Sequence, residues 1–456
     1  MLTNIAISDI INAGGKKMTE LENLIQKSIS KFSDENPLYF KPNSLAEWEN
    51  IWDFGEFDAN IYNHGLHQYP ARFIPQLVRK IIKTFTTEDS AVLDIFSGSG
   101  TTLLECKYMG IKKAYGIELN PFAIFMTKTK LQDLDFANVE GELKNLESKF
   151  FDDLYTFDLI TFKNIEFWYS EKAIISLSKL FDIISRIHDE KIKNFYLLVF
   201  CEISRKTSFL DHGGFKMYRS RTKIKNHFEP DVWNEFFKTV QRNFDLLKAN
   251  NELTKNNTTK QILVYGDSRF IHSEIPEHSI DLILTSPPYG DSKTTVAYGQ
   301  YSRLPWQWIS QKDDIIQLDN NLLGGSTKNL DKSILNLSKK LKEQAEEIEK
   351  VDDSKRVNDV IAFYNDLYST LTSATNYMKK GGYFILVTGN RTVKKVYLRT
   401  DIIITELAET LGYSTEKIYS RNILNKRMAC KNSPTNEIGK TVNTMMTENI
   451  IILKKN

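Results

Sequence analysis

The residues with the clearest chemical potential in this chain form one short turn, Ser286-Pro287-Pro288-Tyr289. The turn follows an apolar run at 282–284, which predicts the end of a buried strand. Neither proline can continue a central strand, because proline has no backbone N–H. The turn offers a hydroxyl, backbone carbonyls that are free to accept hydrogen bonds, and an aromatic stacking face. Such groups suit the holding of a planar base by its face and by its exocyclic amine.

A second pattern is a glycine turn between a strand-like run at 92–96 and a helical pattern that begins at Thr101. Gly98 and Gly100 allow a tight turn and a close backbone approach to a ligand. The next strand-like run ends at Glu118, where related folds place an acid on ribose hydroxyls. The chain has no complete Gly-x-x-x-x-Gly-Lys-Ser/Thr or Gly-x-Gly-x-x-Gly pattern, which disfavours a phosphate ligand. S-adenosylmethionine, which has a carboxylate and a sulfonium, fits better.

Three segments resemble the amino-methylating DNA methyltransferases. The turn at 285–289 resembles their Ser/Asp/Asn-Pro-Pro-Tyr/Phe signature, and the segment 96–102 resembles their Phe-x-Gly-Ser-Gly-Thr-Thr turn. The segment 69–73 resembles the Tyr-Pro-Ala-x-Phe element that precedes the first core helix in this family and closes over the methionine part of the cofactor. The resemblance implies that S-adenosyl-L-methionine is bound by Tyr69, Pro70, Ala71, Phe73, Asp94, Phe96, Gly98, Gly100, Thr101, Thr102, Glu118, Asn120 and Asp267.

The resemblance also implies roles. Tyr289 would stack on a base flipped out of the duplex, and Ser286 and the Pro287 carbonyl would accept hydrogen bonds from its amine. With Pro288 they would form the catalytic turn, and transfer would be a direct in-line displacement. No cysteine follows a proline, which argues against methylation of a cytosine ring carbon. Serine before Pro-Pro favours cytosine N4 over adenine N6, and both stay open. The family setting implies a cognate restriction endonuclease.

The most basic stretch of the chain lies at 205–225. Basic residues with an interleaved aromatic and a flexible glycine pair favour contact with the phosphate backbone of double-stranded DNA over an inert solvated loop. The candidate DNA-binding residues are Arg205, Lys206, Lys216, Arg219, Arg221, Lys223 and Lys225. A basic tail segment at 421–440 resembles a Lys-Arg-Met…Asn-Ser-Pro segment near the end of some relatives, and it could also touch DNA.

Strand-like runs near 92, 114, 262, 281 and 383 alternate with helical patterns. They predict an α/β, doubly wound, Rossmann-like methyltransferase fold with a large insertion. We expect an N-terminal extension (1–60), a discontinuous catalytic domain (61–135 and 259–456) and an insertion (136–258) that could contact DNA.

Several individual elements can also be predicted. We expect a connecting loop at 250–260, a solvated helix within 326–356, a helix at 357–380 that ends at a glycine pair, and a last edge strand at 449–453. The run at 195–204 fits either a buried strand or a helix. Trp306 and Trp308 could line a base pocket or simply pack.

Composition excludes little. The formal charge of +2 neither requires nor excludes nucleic acid. Three widely spaced cysteines provide neither a zinc pair nor a disulfide framework, and His64 and His67 lack further ligands, so we expect no metal. Without a long apolar run, a cytoplasmic protein is expected.

Two rival functions remain. The first is an RNA or protein-glutamine methyltransferase with a similar turn. The second is a DNA-binding subunit that keeps the fold without turnover. The intact glycine turn and Pro-Pro turn argue against the second.

Overall fold

The strands that carry the two motifs belong to one sheet. The computed structural model describes residues 18–32, 41–211, 216–255, 257–291, 295–328, 330–351, 354–424, 431–432, 442–443 and 445–456. Within these ranges the strands are β1 (Ala91–Asp94), β2 (Lys113–Glu118), β3 (Lys260–Tyr265), β4 (Ile280–Thr285), β5 (Met378–Thr388), β6 (Arg391–Val393), β7 (Val396–Leu398), β8 (Tyr413–Asn422), β9 (Lys431–Asn432), β10 (Val442–Asn443) and β11 (Thr447–Lys455). The seven-stranded sheet has the order β3-β2-β1-β4-β5-β11-β8.

The order of this sheet places a ligand site beside β1. The strands β3, β2, β1, β4 and β5 are parallel, and β11 is antiparallel to both of its neighbours. The chain builds outward from β1 to β3 and then returns to the other side of β1 as β4. Open α/β sheets bind ligands at such a switch point, beyond the carboxyl ends of the strands. The doubly wound α/β prediction is confirmed.

Helices cover both faces of the sheet. They are α1 (Glu20–Ile29), α2 (Leu45–Asn50), α3 (Pro75–Phe85), α4 (Thr101–Tyr108), α5 (Pro121–Leu131), α6 (Phe136–Phe150), α7 (Ile165–Trp168), α8 (Glu171–Ser185), α9 (Glu190–Lys206), α10 (Arg221–Lys225), α11 (Val232–Thr254), α12 (Tyr298–Ser310), α13 (Leu318–Asn321), α14 (Lys339–Val351), α15 (Ser354–Tyr377) and α16 (Thr400–Glu409), with 3-10 turns at Ser30–Phe32, Tyr62–Leu66, Asp314–Gln317 and Lys332–Asn336. Strand side chains alternate between two cores. Leu93 and Ile283 pack with α14–α16, whereas Val92 and Leu282 pack with α1–α4.

The chain between β2 and β3 is helical and has a core of its own. Helices α6 to α9 and α11 bury an apolar cluster that also includes Leu304 and Trp308 of α12. Trp308 is fully buried, and its ring lies 5.7 Å from the ring of Phe200 on α9. The two-way prediction for Trp308 is therefore resolved in favour of packing, and the run at 195–204 is helix. The division into domains stays a prediction.

The last strand corrects one prediction. Expected at an edge, β11 lies between β5 and β8, and β8 is the edge. The physical reason is its apolar run: Ile450, Ile451 and Ile452 are all fully buried, so both faces of the strand are covered. Such a continuous run is typical of an internal strand, whereas an edge strand usually alternates.

Three smaller predictions also change. Helix α15 ends at Tyr377 and β5 begins at once, so the helix stops before the glycine pair. Helix α11 continues to Thr254, into the predicted loop. Helix α14 is not wholly solvated, because Leu341 and Ile348 are buried. Most of the basic tail, at 425–430 and 433–441, and the glycine pair near 213 lie outside the described residues. Across the described ranges, no helix combines the length and apolar content that a membrane span needs.

Candidate active site

The glycine turn follows β1 and opens the N-terminus of α4. Gly98 and Gly100 have φ angles of +51° and +78°, a region that L side chains rarely adopt. A Cβ on Gly100 would lie 2.5 Å from Cγ2 of Thr127, which is impossible without movement. The Gly98 N–H donates to Oε2 of Glu118 at 2.7 Å. The turn is thus held against Glu118 at the end of β2.

Asp94 joins the two motifs at the switch point. Its Oδ1 accepts a hydrogen bond from the Thr285 hydroxyl and its Oδ2 accepts one from the Thr102 hydroxyl, both at 2.7 Å. The Phe96 N–H donates to Oδ1 at 3.1 Å. Burial raises the pKa of Asp94 to about 6, although these hydrogen bonds oppose the rise. A cationic ligand would favour the ionised form.

Glu118 is the second acid of the site. In addition to the Gly98 N–H, the Asn120 N–H donates to its Oε1 at 2.7 Å. Burial raises the pKa of Glu118 to about 7, and the charge of Asp94 contributes to the rise. Each carboxylate oxygen keeps a further lone pair, which could accept a hydroxyl hydrogen from a ligand.

A cleft lies between the glycine turn and the Pro-Pro turn. The predicted residues that line it are Tyr69, Pro70, Ala71, Phe73, Asp94, Phe96, Gly98, Thr101, Glu118, Asn120, Ser286 and Pro288. The cleft therefore brings the glycine turn, the 69–73 segment and the Pro-Pro turn together. Gly100, Thr102, Pro287 and Tyr289 are adjacent in sequence to lining residues but do not line the cleft themselves.

The cleft fits the predicted cofactor. Ser97 Oγ and Thr101 Oγ1 are buried, and neither has a hydrogen-bond partner among the described residues. Both residues line the cleft, at the beginning of α4, where backbone N–H groups and the helix dipole favour an anion. Buried polar groups without partners indicate a polar ligand. The acids match the ribose hydroxyls of S-adenosyl-L-methionine. The hydroxyls at the helix N-terminus match the amino-acid end of the cofactor.

An aromatic wall closes one side of the cleft. The Tyr69 ring stacks on Tyr298 of α12, with centroids 5.7 Å apart and planes at 26°. Asn120 also connects the 69–73 segment to α12, because its Nδ2 donates to the Tyr69 hydroxyl at 3.0 Å and to the Ser302 hydroxyl at 2.8 Å. Tyr298 and Leu322 line the cleft but were not predicted individually. Tyr298 belongs to the polar and aromatic segment 292–303, for which the sequence predicts a cover over a bound base or a lining of its pocket.

Residues of β5, β8 and β11 hold the Pro-Pro turn in place. The Ser286 hydroxyl lies 2.9 Å from the Val387 carbonyl oxygen on β5. The Tyr289 hydroxyl donates to Oε1 of Glu448 on β11 at 2.9 Å. Glu448 in turn pairs with Arg421 on β8, at 3.0 Å from Oε2 to Nη1. Glu448 carried no sequence signal. Arg421 opens the basic tail that was expected to touch DNA, but its side chain is 4% exposed and is taken up by this ion pair.

Asp267 lies outside the cleft lining. It forms an ion pair with Arg269 at 2.6 Å, and its backbone carbonyl accepts a hydrogen bond from the His272 ring. Its role toward an adenine amine stays a prediction. His64 lies 2.8 Å from Glu105, and His67 lies 2.6 Å from the Gln68 carbonyl, so each has a structural partner.

Arg205 corrects one of the DNA-binding predictions. The residue is 7% exposed, and its guanidinium lies 3.9 Å from the centroid of the Tyr301 ring while Nη1 donates to the Tyr301 carbonyl at 2.6 Å. Arg205 thus attaches α9 to α12, and its charge does not face solvent. The basic count in the sequence could not separate an interior arginine from a surface one.

The other basic residues of this stretch divide into two groups. Lys206, Lys223 and Arg219 are partly buried, and Lys223 donates to the Lys206 and Ser208 carbonyls at the end of α9. The guanidinium of Arg219 lies 4.4 Å from the centroid of the Phe167 ring. The second group consists of Arg221 and Lys225, which are exposed, whereas Lys216 is partly buried like the first three residues.

Sequence comparisons with known proteins identify one family. A family model described as DNA methylase matches residues 12–129. The chain is 36% identical over 418 residues to the type II methyltransferase M.MvaI of Kocuria varians, which covers 86% of this chain and 90% of that protein. It is 31% identical to the type II methyltransferase M.MjaII of Methanocaldococcus jannaschii over 31% of this chain and 29% of that protein. A solved putative DNA modification methylase of Thermus thermophilus, complexed with S-adenosyl-L-methionine, is 18% identical over 42% of this chain and 53% of that one, with a TM-score of 0.21.

Proposed function

Because this chain belongs to the family of amino-methylating type II DNA methyltransferases, which use S-adenosyl-L-methionine, we propose that its target atom is N4 of cytosine. One observation supports a catalytic role for the Pro-Pro turn above all others. Ser286 and Pro288 line the same cleft as Asp94, Glu118 and the glycine turn. A base held by the turn would therefore meet the methyl donor within one cleft.

The proposed chemistry depends on positioning. When bound, S-adenosyl-L-methionine supplies an electrophilic methyl group on a sulfonium. The Ser286 oxygen and the Pro287 carbonyl accept hydrogen bonds from the amine, which draws its lone pair out of ring conjugation and toward the methyl carbon. Tyr289 holds the face of the flipped base by stacking. These groups act by fixed geometry and dipoles, and no covalent enzyme intermediate is required.

The proposed cofactor contacts follow from the cleft. Glu118 accepts hydrogen bonds from the ribose hydroxyls, and the hydroxyls of Ser97 and Thr101 take the amino-acid end at the start of α4. Tyr69 and Phe73 cover that end from the other side. Asp94 contributes negative charge near the methionine part.

The choice of cytosine rests on the serine before Pro-Pro. The signature that this turn resembles has Ser, Asp or Asn at this position, and serine there favours the amine of cytosine. Adenine N6 is the alternative target, and product analysis distinguishes the two.

We also propose where DNA binds. The exposed Arg221 and Lys225, with Lys216, are the phosphate contacts. This stretch lies beside the cleft, because the Met217 N–H donates to Oε1 of Gln300 at 3.0 Å and Gln300 is two residues from Tyr298. A restriction endonuclease of matching specificity is the proposed functional partner, and the cytoplasm, which holds the DNA, is the proposed location.

Methyl transfer tests the proposal directly. Duplex DNA is incubated with methyl-labelled S-adenosyl-L-methionine and then digested to nucleosides, with wild type, Ser286→Ala and the exposed control Ser273→Ala compared. We expect label in N4-methylcytosine, a rate at least about 100-fold lower for Ser286→Ala, and no change for the control. Label in N6-methyladenine would overturn the choice of base. An unaffected Ser286→Ala would overturn the role of the serine.

A further inference from the structure

The hydroxyls of Ser286 and Tyr289 lie in one hydrogen-bonded chain that ends at an ion pair. The two oxygens are 3.3 Å apart. On one side the Ser286 hydroxyl reaches the Val387 carbonyl at 2.9 Å, and on the other the Tyr289 hydroxyl reaches Oε1 of Glu448 at 2.9 Å. Oε2 of Glu448 is 3.0 Å from Arg421, whose side chain is only 4% exposed.

The two ends of this chain determine the direction of every hydrogen bond in it. A guanidinium can only donate, and a carboxylate paired with it can only accept. The phenol must therefore give its single hydrogen to Glu448. Burial, followed by the charge of Glu448, raises the pKa of Tyr289 well above its usual value, so the phenol keeps this hydrogen at neutral pH.

Ser286 is left with one favourable arrangement. Its hydrogen is shared between the Val387 carbonyl at 2.9 Å and the phenol oxygen at 3.3 Å, both of which accept from it. The phenol hydrogen is already used, so Tyr289 does not donate to the Ser286 oxygen. A lone pair of that oxygen stays available for a donor that enters the cleft.

We propose that Glu448 is a positioning residue that acts through Tyr289 to keep a lone pair of the Ser286 oxygen free for the amine of the target base. The inference rests on the proposed function, in which Ser286 accepts a hydrogen bond from that amine. Arg421 is part of the device, because it occupies Oε2 of Glu448 and so orients the carboxylate with Oε1 toward Tyr289.

The substitution Glu448→Gln reverses the chain without changing its shape. The glutamine oxygen must face Arg421, since a guanidinium has no acceptor, and the glutamine NH2 then faces Tyr289. The phenol accepts from this NH2 and turns its own hydrogen toward Ser286. The lone pair that the amine needs is thereby occupied by Tyr289.

Removal of the phenol hydroxyl cancels this reversal. In Tyr289→Phe the ring keeps its stacking face, but it has no hydrogen to direct at Ser286. Glu448→Gln in that background should therefore have little further effect. A role of Glu448 that does not pass through the phenol predicts the opposite, because its loss would then harm both backgrounds equally.

The experiment compares wild type, Glu448→Gln, Tyr289→Phe and the double variant in single turnovers at saturating DNA and cofactor. We expect Glu448→Gln to transfer methyl about 10- to 100-fold more slowly, with the Kd for cofactor and for DNA within about twofold of wild type. The double variant should lie within about threefold of Tyr289→Phe. Cofactor binding also shows that each variant is folded, since neither residue lines the cleft.

Two results would overturn the inference: a wild-type rate for Glu448→Gln, or a further loss in the Tyr289→Phe background as large as the loss in wild type. Ser286→Ala separates these results from a failure of the proposed function. If Ser286→Ala is slow and Glu448→Gln is fast, only the role of Glu448 is wrong. If Ser286→Ala is as fast as wild type, the proposed acceptor itself is wrong.

Discussion

The acids on the two sides of the Pro-Pro turn are stabilised in different ways. On the side formed by the parallel strands β1 and β2 (the parallel side), the hydrogen bonds to Asp94 and Glu118 in the described structure come from hydroxyls and backbone N–H groups, which are neutral. On the side formed by the antiparallel strands β8 and β11 (the antiparallel side), Glu448 is paired with the guanidinium of Arg421. The first pair of acids has raised pKa values, to about 6 and about 7.

This difference separates a binding site from a scaffold. Neutral dipoles leave the charge of Asp94 and Glu118 only partly compensated, so that a ligand with hydroxyl donors and positive charge can complete it. The pair of Glu448 and Arg421 is complete without a ligand, and it holds an aromatic ring in place. Buried acids of one sequence can thus be prepared for opposite tasks by the type of donor that surrounds them.

The largest expected effect is on the antiparallel side. Arg421→Met leaves a mostly buried carboxylate without its cation, and the free energy of unfolding should fall by about 3 to 4 kcal/mol. If the two sides are separate, the folded variant still binds S-adenosyl-L-methionine with wild-type affinity but transfers methyl slowly. Denaturant unfolding and cofactor titration measure these two quantities.

Lys417→Met is the matched control on the same strand. The Lys417 side chain is 49% exposed and lies 3.6 Å from Glu49. Loss of such a surface pair should change stability by less than about 0.5 kcal/mol. A loss of cofactor affinity in Arg421→Met as large as the loss of transfer rate would show that the two sides are one unit.

The residues of the parallel side could be predicted from the sequence far better than those of the antiparallel side. The reason is the distance along the chain between the residues that make contact. Gly98 and Glu118 are 20 residues apart and belong to one strand-turn-helix-strand unit, so their contact follows from local pattern. Tyr289 and Glu448 are 159 residues apart, and their contact depends on β11 lying inside the sheet. The expectation of an edge strand there was wrong: the apolar run indicates an internal strand, but nothing in it identifies β5 and β8 as the strands that flank it. The prediction that Arg205 binds DNA was wrong for a related reason, since its burial is created by α12 and not by its neighbours in sequence.

The second effect concerns pH and tests the parallel side. The folded pKa of Glu118, about 7, lies above its ordinary value of 4.5, so the folded state binds the proton more tightly than the unfolded state. Stability from this group is fully present below pH 4.5 and is lost as the pH rises through 7. Between about pH 5 and pH 8 the cofactor-free wild type should lose about 2 to 3 kcal/mol that Glu118→Gln does not lose.

Urea unfolding of both proteins at several pH values measures this difference. Glutamine has one acceptor where the carboxylate has two, so the variant is expected to be weaker by a constant amount. Only the change with pH therefore tests the argument. Parallel pH curves for the two proteins would mean that Glu118 is compensated as fully as Glu448, and the contrast between the two sides would disappear.

The smallest effect tests whether close backbone approach belongs to the parallel side. Gly100 and Gly110 both have positive φ angles, +78° and +67°, but a Cβ on Gly110 meets nothing within 4 Å, whereas one on Gly100 meets Thr127 at 2.5 Å. Gly110→Ala should cost about 1 kcal/mol of unfolding free energy from backbone strain alone. Gly100→Ala should cost about 2 kcal/mol, because Thr127 must also move.

The two alanine variants should differ more in ligand binding than in stability. Thr127 donates to the Gly98 carbonyl at 3.0 Å, so its displacement in Gly100→Ala changes the turn that lines the cleft. We expect the Kd for S-adenosyl-L-methionine to rise at least about tenfold in Gly100→Ala and to stay unchanged in Gly110→Ala, a difference of about 1.4 kcal/mol in binding free energy. Equal Kd values for the two variants would mean that the glycine turn only closes the chain, and that the hydroxyls and acids around it hold the ligand without a close backbone approach.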